Sequence, residues 1–193
     1  MTTILLARHG ETAWNRDNRF QGHADPPLNE TGRAQAAELA AALAEEPLAA
    51  IYSSPLRRAF ETAEIAGAPH RLEPVPVDAL REVDVGSWQG LTRAEIEERF
   101  PAQFARWLEY EQGWDDGETY DEMGVRVVAA LFDLAAAHEG EQILAVSHGG
   151  PVRAAYAVAD GISHAEARRR GPVVANAFVA RFAVEDGKLR RVD

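Results

Sequence analysis

The stretch Thr3-Ile4-Leu5-Leu6-Ala7-Arg8-His9-Gly10-Glu11 joins an uninterrupted apolar run to a cluster of reactive polar residues. A short apolar run of this kind is typical of a β-strand that is buried on both faces, as in parallel sheets. The polar cluster begins where the strand is predicted to end. Because open α/β sheets bind ligands at the carboxyl ends of their strands, this stretch predicts both the fold class and the location of the chemistry.

The rest of the chain alternates between short apolar runs and amphipathic segments. Strands are predicted at 3–8, 50–53, 75–77 and 143–147, and a closing hairpin at 176–192. Helices are predicted at 29–46, from Ser54-Pro55 onward, at 92–99, 101–112 and 118–138, and at 149–158. This order predicts one domain over residues 1–193, a three-layer α/β/α sandwich with a mostly parallel central sheet.

The composition is that of an ordinary globular protein. Of the 193 residues, 46% are hydrophobic and 26% are charged. No apolar run reaches the ~18–20 residues that a membrane span needs, and the absence of cysteine excludes disulfides and thiol nucleophiles. Twenty basic and 31 acidic side chains give a formal net charge of −11, which argues against a nucleic-acid partner. The expected compartment is the cytoplasm.

Several predicted strands end in reactive polar clusters. Three of these clusters are Arg8-His9-Gly10-Glu11, Ser53-Ser54-Pro55-Leu56-Arg57-Arg58 and Ser147-His148-Gly149-Gly150. A fourth, Leu80-Arg81-Glu82, follows the weak strand at 75–77. Because the carboxyl ends of parallel strands lie at one edge of a sheet, the clusters are expected to surround a single pocket with two histidines, at least two arginines and one glutamate.

This set of side chains suits phosphoryl transfer. Arginines and the N–H groups at helix N-termini bind the charged oxygens of a phosphoryl group. A neutral imidazole is a nucleophile near pH 7, and a protonated carboxyl group can protonate the leaving oxygen. No cofactor is implied, and no metal ion is required if the arginines supply the positive charge. The sequence contains no His-x-His or His-x-x-x-His pair that would suggest a zinc site.

These motifs resemble those of the histidine phosphatase superfamily, in particular its phosphoglycerate-mutase-like branch. The resemblance spans nearly the whole chain, and its motifs occur in the family's order. They are Arg8-His9-Gly10-Glu11-Thr12, Trp14-Asn15, Gln21-Gly22, Asp25-Pro26-Pro27-Leu28, Ser53-Ser54-Pro55-Leu56, Arg58-Ala59, Leu80-Arg81-Glu82, Gly86-Ser87-Trp88-Gln89-Gly90, Asp116-Gly117-Glu118-Thr119 and Val146-Ser147-His148-Gly149-Gly150.

The resemblance implies a role for individual residues. His9 matches the nucleophile that becomes phosphohistidine, and Glu82 matches the proton donor. The residues that match those holding the phosphoryl group are Arg8, Arg58 and His148. The residues that match positions closing around it are Asn15, Gln21 and Gly22. Because His9 must be neutral while Glu82 must be protonated, the rate is expected to fall on both sides of a pH optimum.

Phosphatases and mutases of the family share these residues. In a phosphatase water meets the phosphohistidine, whereas in a mutase a second substrate hydroxyl does. The chain is shorter than the cofactor-dependent mutases, and only residues 92–120 remain as a small helical and loop cover over the site. The sequence therefore favours a phosphatase acting on a small phosphorylated metabolite. A catalytically silent phosphate-binding protein is disfavoured, since such a protein needs neither a nucleophile nor an acid.

Substrate specificity is expected to reside in residues 100–120, which are rich in aromatic side chains. Phe104, Trp107 and Leu108 fit one helix face and are predicted core contacts. Trp114 lies in a polar loop and is the predicted substrate contact. Four acidic residues nearby would, if they face the pocket, repel a multiply anionic substrate and so favour a sugar phosphate or another simple monoester. They are Glu109, Glu111, Asp115 and Asp116.

The remaining charged residues are expected to lie outside the site. Arg57 is predicted on an exposed helix face, with the pocket rim as the alternative. Glu118 is predicted to help start a helix, with a place near the site as the alternative. His23 is expected in an exposed loop, with substrate contact as the alternative. The other histidines, His70, His138 and His164, are predicted at the surface. The apolar segment 171–183 is compatible with a homodimer and equally with a last strand.

Overall fold

The computed structural model describes residues 1–171 and 174–192. Within these ranges one sheet contains six strands, in the order β3-β2-β4-β1-β5-β6. Their bounds are β1 (Thr2–Arg8), β2 (Leu48–Ser53), β3 (Val75–Pro76), β4 (Gln142–Ser147), β5 (Val179–Glu185) and β6 (Lys188–Arg191). The pairs among β3, β2, β4 and β1 are parallel, while β5 and β6 add antiparallel pairs at one edge. The predicted mostly parallel sheet is confirmed.

Eight α-helices connect and flank the strands in the described part of the chain. They are α1 (Ala13–Arg16), α2 (Glu30–Leu43), α3 (Arg57–Gly67), α4 (Arg93–Arg99), α5 (Pro101–Leu108), α6 (Tyr120–Ala137), α7 (Gly149–Asp160) and α8 (His164–Arg170). The predicted caps at Asn29 and Thr92 are both present. None of these helices is long and apolar enough to cross a membrane.

Residues of β1 explain why the domain has three layers. Ile4, Leu5, Leu6 and Ala7 are all fully buried, because alternate side chains of a strand point to opposite faces of the sheet. One face packs against side chains of α6 and α7, namely Met123, Val127, Leu131 and Val152. The other face packs against side chains of α2 and α3, namely Leu39, Leu43, Ala59 and Ala63.

The strand register brings the predicted reactive clusters together. Arg8, the last residue of β1, is the parallel partner of Ser147, the last residue of β4. Ser53, the last residue of β2, pairs with Val146 of β4. Because three neighbouring strands end at the same level, the residues that follow them, His9, Ser54 and His148, emerge side by side.

Some predicted elements differ from the structure. The third helix was predicted to start at Ser54-Pro55, but α3 begins at Arg57 and its N-cap is Leu56, without a side-chain cap hydrogen bond. Ser54 instead turns its hydroxyl toward the end of the neighbouring strand β4. Helix α8 was not predicted, although Ser163 caps it by accepting a hydrogen bond from the Glu166 N–H at 3.1 Å.

Candidate active site

The carboxyl ends of the central strands border a cavity of about 370 Å³. The predicted site residues on its wall are Arg8, His9, Asn15, Gln21, Gly22, Arg58 and Glu82. His148 is fully buried beside His9, with 5.1 Å between the centroids of the two rings. The fold thus gathers residues from four separate parts of the chain around His9.

His9 is 2% exposed, and its environment selects both its tautomer and its charge. The Nδ1 atom lies 2.6 Å from the carbonyl oxygen of Gly10, to which a neutral ring donates a hydrogen bond from Nδ1–H. The lone pair is then on Nε2. Burial, with the positive charges of Arg58 and Arg8, holds the pKa of His9 well below its ordinary value. The ring is therefore a neutral potential nucleophile at pH 7.

Gly10 allows the end of β1 to approach helix α2 very closely. A Cβ at position 10 would overlap the carbonyl oxygen of Gly32, and a Cβ at Gly32 would overlap the carbonyl oxygen of Glu11. Both glycines are thus required by backbone-to-backbone contact. This contact holds His9 against a rigid part of the fold.

Two buried arginines flank His9. Arg58 is fully buried, and its two terminal nitrogens donate to the carbonyl oxygens of Ala24 at 2.7 Å and Gly22 at 2.9 Å. Arg8 donates to the carbonyl oxygen of Val174. Burial lowers the pKa of Arg58 to about 10, so the guanidinium remains charged at neutral pH. The site therefore holds two positive charges next to a neutral nucleophile.

His148 joins the ends of two strands. Its Nε2 atom lies 2.8 Å from the hydroxyl oxygen of Ser54. Burial, followed by the positive charge of Arg58, holds the pKa of His148 well below its ordinary value. A hydrogen bond from the Ser54 hydroxyl to Nε2 would leave the ring proton on Nδ1 as a donor.

Three buried polar atoms around His9 have no hydrogen-bond partner among the described residues. They are the Nε atoms of Arg8 and Arg58 and the Nδ1 atom of His148. Buried polar groups in native proteins are nearly always paired, so unpaired ones require an explanation. A bound anion offers oxygen acceptors to donors of this kind, which makes this a candidate phosphoryl site.

Glu82 supplies a carboxylate on the same wall. Its oxygens accept hydrogen bonds from the backbone N–H groups of Val83 at 3.0 Å and Gly150 at 3.3 Å. A Cβ at position 150 would overlap the carboxylate, so a larger residue there would require the Glu82 side chain to move. The carboxylate thus lies against the first turn of helix α7, and Glu82 lines the cavity.

Thr12 forms hydrogen bonds with two amide side chains on the cavity wall, those of Asn15 and Gln21. Asn15 and Thr12 form the capping box of α1, and the Oδ1 atom of Asn15 accepts from the backbone N–H of Thr12 at 3.1 Å. The Thr12 hydroxyl lies 3.1 Å from the Oε1 atom of Gln21. With both amide oxygens engaged, both amide NH₂ groups remain as donors, which suits a wall that closes around an anion.

A model of the histidine phosphatase superfamily (branch 1) matches residues 4–192. The chain belongs to this family. Phosphoserine phosphatase 1 of Hydrogenobacter thermophilus is 39% identical over 165 residues, covering 84% of this chain and 78% of that protein. The metal-independent phosphoserine phosphatase of Arabidopsis thaliana is 40% identical over 161 residues, covering 81% and 68%. The solved structure of Bacillus stearothermophilus YhfR matches with a TM-score of 0.93 at 33% identity, covering 99% of this chain and 95% of that one.

These comparisons confirm the predicted family and the predicted fold. They also support the predicted class of enzyme, a metal-independent phosphatase of the histidine phosphatase family. In the described ranges, 1–171 and 174–192, no three histidine, aspartate or glutamate side chains are grouped so that they could hold a metal ion.

The prediction that Trp114 contacts substrate is wrong. Trp114 is 2% exposed, and its indole N–H donates to the carbonyl oxygen of Glu118 at 2.8 Å. Its ring packs edge-on against Trp88 and Tyr120, at centroid distances of 5.5 and 5.2 Å. The polar loop that contains Trp114 folds the ring into the core of this histidine phosphatase, because burying an indole with a paired N–H is strongly favourable.

One of the three predicted core contacts on α5 lies elsewhere, since Leu108 is 55% exposed. Phe104 is in the core, and Trp107 packs against that core, stacked on Phe104, while also lining the cavity. None of the four acidic residues near Trp114 is on the cavity wall. Asp115 pairs with Arg106, and Asp116 accepts hydrogen bonds from the backbone and hydroxyl of Ser87. These four residues therefore give no reason to disfavour a multiply anionic substrate.

Three arginines on the wall were missed by the sequence analysis, namely Arg19, Arg93 and Arg153. With Arg8 and Arg58 they oppose one acidic wall residue, Glu82, in a chain whose net charge is −11. The position of Arg153 could have been predicted from helix periodicity, because it lies four residues after Gly149 and thus on the same face of α7. Arg93 is the first residue of α4 and carried no comparable signal.

The remaining predictions had mixed outcomes. Arg57 is exposed, as expected. His23 is half-buried, and its Nε2 atom lies 2.9 Å from the carbonyl oxygen of Glu82. His164 was predicted at the surface but is 7% exposed, because its ring stacks on Tyr120 with 4.4 Å between centroids. His138 is held by Tyr52 and Glu141, at 2.8 and 2.7 Å.

Proposed function

We propose that this histidine phosphatase hydrolyses small phosphomonoesters through a phosphohistidine formed on Nε2 of His9. The observation that carries the proposal is the set of three unpaired buried donors around a neutral, buried histidine. In this proposal those donors bind the oxygens of a phosphoryl group while His9 attacks its phosphorus. The charge of two arginines replaces that of a metal ion.

In the first step Nε2 of His9 attacks phosphorus in line, and the bond from phosphorus to the ester oxygen breaks. The proton of the Glu82 carboxyl group moves to the leaving oxygen, so an alcohol departs. Arg8, Arg58 and His148 hold the three non-bridging oxygens. As is general for phosphoryl transfer, positioning and electrostatic stabilisation supply most of the acceleration.

In the second step a water molecule attacks the phosphohistidine. The Glu82 carboxylate takes a proton from that water, the phosphorus–nitrogen bond breaks, and inorganic phosphate leaves. His9 is neutral again and Glu82 is protonated, so the cycle closes without any further reactant. Asn15, Gln21 and Gly22 close around the phosphoryl group in both steps. Residues 92–120, which contribute Arg93 and Trp107 to the wall, act as the cover.

The proposed substrate is a phosphomonoester whose alcohol part carries a carboxylate. Arg93 and Arg153 lie on the wall in addition to the two arginines assigned to the phosphoryl group. The guanidinium carbon of Arg93 lies 5.2 Å from the centroid of the Trp107 ring, a stacking that holds the cation beside the cavity. Two relatives described above are phosphoserine phosphatases, and phosphoserine has such a carboxylate.

The reaction is tested by release of inorganic phosphate from p-nitrophenyl phosphate in EDTA. His9→Ala is expected to abolish release, while His70→Ala, a histidine remote from the cavity, is not. Arg58→Ala is expected to lose most activity, whereas its exposed neighbour Arg57→Ala serves as the matched control. A phosphoryl group on the enzyme, trapped by rapid quenching with labelled substrate and lost in His9→Ala, would identify the intermediate.

Two other outcomes would contradict a phosphatase. Isomerisation of phosphoglycerates without phosphate release would indicate a mutase instead. Phosphate binding without turnover would indicate a silent phosphate-binding protein.

The substrate class is tested with four phosphomonoesters. Phosphoserine carries a carboxylate and an ammonium group, 3-phosphoglycerate only the carboxylate, phosphoethanolamine only the ammonium group, and glycerol 3-phosphate neither. Because a hydrogen bond to a charged group contributes about 1.5–3 kcal/mol, kcat/KM is expected to be about 10- to 100-fold higher for the two carboxylates. Arg93→Gln should narrow that difference. Equal kcat/KM for all four esters would refute the proposed class.

A further inference from the structure

Arg126 of helix α6 binds the backbone of the segment that carries Glu82. One terminal nitrogen donates to the carbonyl oxygens of Ala79 at 2.7 Å and Arg81 at 2.8 Å, and the other donates to that of Glu82 at 2.8 Å. Arg126 is not among the residues that line the cavity. It therefore holds the main chain of this segment without lining the cavity itself.

Glu118 completes the coordination of Arg126. Its two carboxylate oxygens accept from Nε and a terminal nitrogen of Arg126, both at 2.6 Å, in a two-point ion pair. A guanidinium has five N–H donors, and these five hydrogen bonds use all of them. The side chains of Arg126 and Glu118 are 24% and 18% exposed, so solvent weakens the pair only in part.

Glu118 also holds the chain on the far side of Glu82. Its backbone N–H donates to the carbonyl oxygen of Asp84 at 2.9 Å, and its carboxylate lies 3.4 Å from the Asp84 nitrogen. Together Arg126 and Glu118 fix the backbone at positions 79, 81, 82 and 84. This matters because residues 82–85 belong to no helix or strand, so no regular hydrogen-bond ladder holds Glu82 in place.

We infer that Arg126, oriented by Glu118, is the positioning residue for proton transfer by Glu82. A general acid must lie within hydrogen-bond reach of the leaving oxygen, and an error of about 1 Å in such a group can cost about 10²-fold in rate. The inference rests on the proposed function, since it takes Glu82 as the proton donor. Arg126 itself touches neither the phosphoryl group nor His9.

The test uses two substrates that differ in their need for an acid. Glycerol 3-phosphate releases a strongly basic alkoxide that must be protonated, whereas p-nitrophenyl phosphate releases a stable phenolate. The measured quantity is kcat/KM, which reports the step that forms the phosphohistidine. Arg126→Gln is expected to lower kcat/KM about 10²-fold for glycerol 3-phosphate and only a few-fold for p-nitrophenyl phosphate. Arg126→Lys has three donors in place of five. Its kcat/KM for glycerol 3-phosphate should lie between those of the wild type and Arg126→Gln.

A double variant separates positioning from general damage to the fold. If Arg126 acts through Glu82, then Arg126→Gln combined with Glu82→Gln should be no slower on glycerol 3-phosphate than Glu82→Gln alone. The matched control is Arg181→Gln, which breaks another arginine–glutamate pair, to Glu46 at 2.8 Å. Arg181 lies on β5, remote from the cavity, and its variant should keep wild-type kcat/KM on both substrates.

Each result decides between the alternatives. An equal loss on both substrates in Arg126→Gln and Arg126→Lys, or losses that multiply in the double variant, would overturn the positioning role. If Arg126→Gln does not fold, Glu118→Gln and Arg126→Lys must show the same selective loss for the inference to stand. If Glu82→Gln itself affects both substrates equally, the acid role in the proposed function fails. A selective loss in Glu82→Gln without one in the Arg126 variants refutes this inference alone.

Discussion

The Nε2 atom of His148 lies 2.8 Å from the hydroxyl oxygen of Ser54. The two residues follow neighbouring strands, β4 and β2, and both are fully buried. A hydroxyl that donates to Nε2 keeps the ring proton on Nδ1, the atom without a partner in the described ranges. With Ser54 as the donor of this hydrogen bond, His148 presents Nδ1–H as a donor beside His9.

We expect Ser54→Ala to lower kcat/KM by about tenfold with a rise in KM, because a buried hydrogen bond contributes about 0.5–1.5 kcal/mol and His148 loses its fixed tautomer. The check is steady-state kinetics on p-nitrophenyl phosphate. Ser53→Ala is the control, since Ser53 is equally buried but donates only to the backbone carbonyl of Ser54. Equal losses in the two variants would show that Ser54 acts through packing alone.

The pH dependence follows from the lowered pKa of His9. Burial and two arginines disfavour the imidazolium, so His9 loses its lone pair only well below pH 6.5. At pH 5.5 only about one tenth of an exposed histidine with a pKa of about 6.5 is in the neutral form that can act as a nucleophile. We expect no such loss from His9 at pH 5.5 in kcat/KM, and no titration of its ring by NMR between pH 7 and 5.5. A ring that titrates near pH 6.5 would refute this.

His164 should make the fold sensitive to acid. Burial lowers its pKa to about 3, whereas in the unfolded chain it is about 6.5. The unfolded state binds the extra proton between these values, so the free energy of unfolding falls as pH drops below 6.5. We therefore compare the change in the free energy of unfolding that His164→Phe causes at two pH values. This change should be more stabilising at pH 5 than at pH 7 by about 2 kcal/mol. Urea unfolding at both pH values measures this, and an identical effect at the two would contradict it.

Gly149 and Gly150 provide a matched pair of substitutions. A Cβ at Gly150 would overlap the Glu82 carboxylate, whereas at Gly149 the nearest atom, Nε of Arg8, is 3.7 Å away. Gly150→Ala should therefore lower kcat/KM for glycerol 3-phosphate about 10²-fold by displacing the acid. Gly149→Ala, at the first residue of α7, should lower kcat/KM far less. Similar kinetics for the two variants would mean that Glu82 can move without penalty.

Substitutions of Trp114 and Trp107 should have different effects, one on stability and the other on substrate preference. Trp114→Ala removes a fully packed core ring and should lower the free energy of unfolding by about 3–5 kcal/mol, while relative rates across a panel of phosphomonoesters stay unchanged. Trp107→Ala alters the cavity wall and the surface on which Arg93 stacks. It should change those relative rates. Thermal unfolding and a substrate panel measure the two effects. Changed relative rates for Trp114→Ala and unchanged ones for Trp107→Ala would show that Trp114, and not Trp107, contacts substrate.

Much of the fold and the site could be predicted from local patterns. The buried run at 3–8, the caps at Asn29 and Thr92, and the polar residues that follow each strand are all properties of short segments. Parallel strands place their carboxyl ends together, so the meeting of His9, Arg58 and His148 followed from these segments and one rule of topology. Motif order along the chain then identified the family.

Side-chain direction in the irregular segments was decided by the tertiary structure alone. Trp114 turned inward because Trp88 and Tyr120 offered it a packed site, while Trp107 turned toward the cavity. The three carbonyl partners of Arg126 lie 44 to 47 residues earlier in the chain. No periodicity or cap encodes contacts at that separation. The sequence by itself determined the fold class and which reactive residues follow the strands. Long-range packing decided which side chains line the cavity and which contacts hold the segment around Glu82.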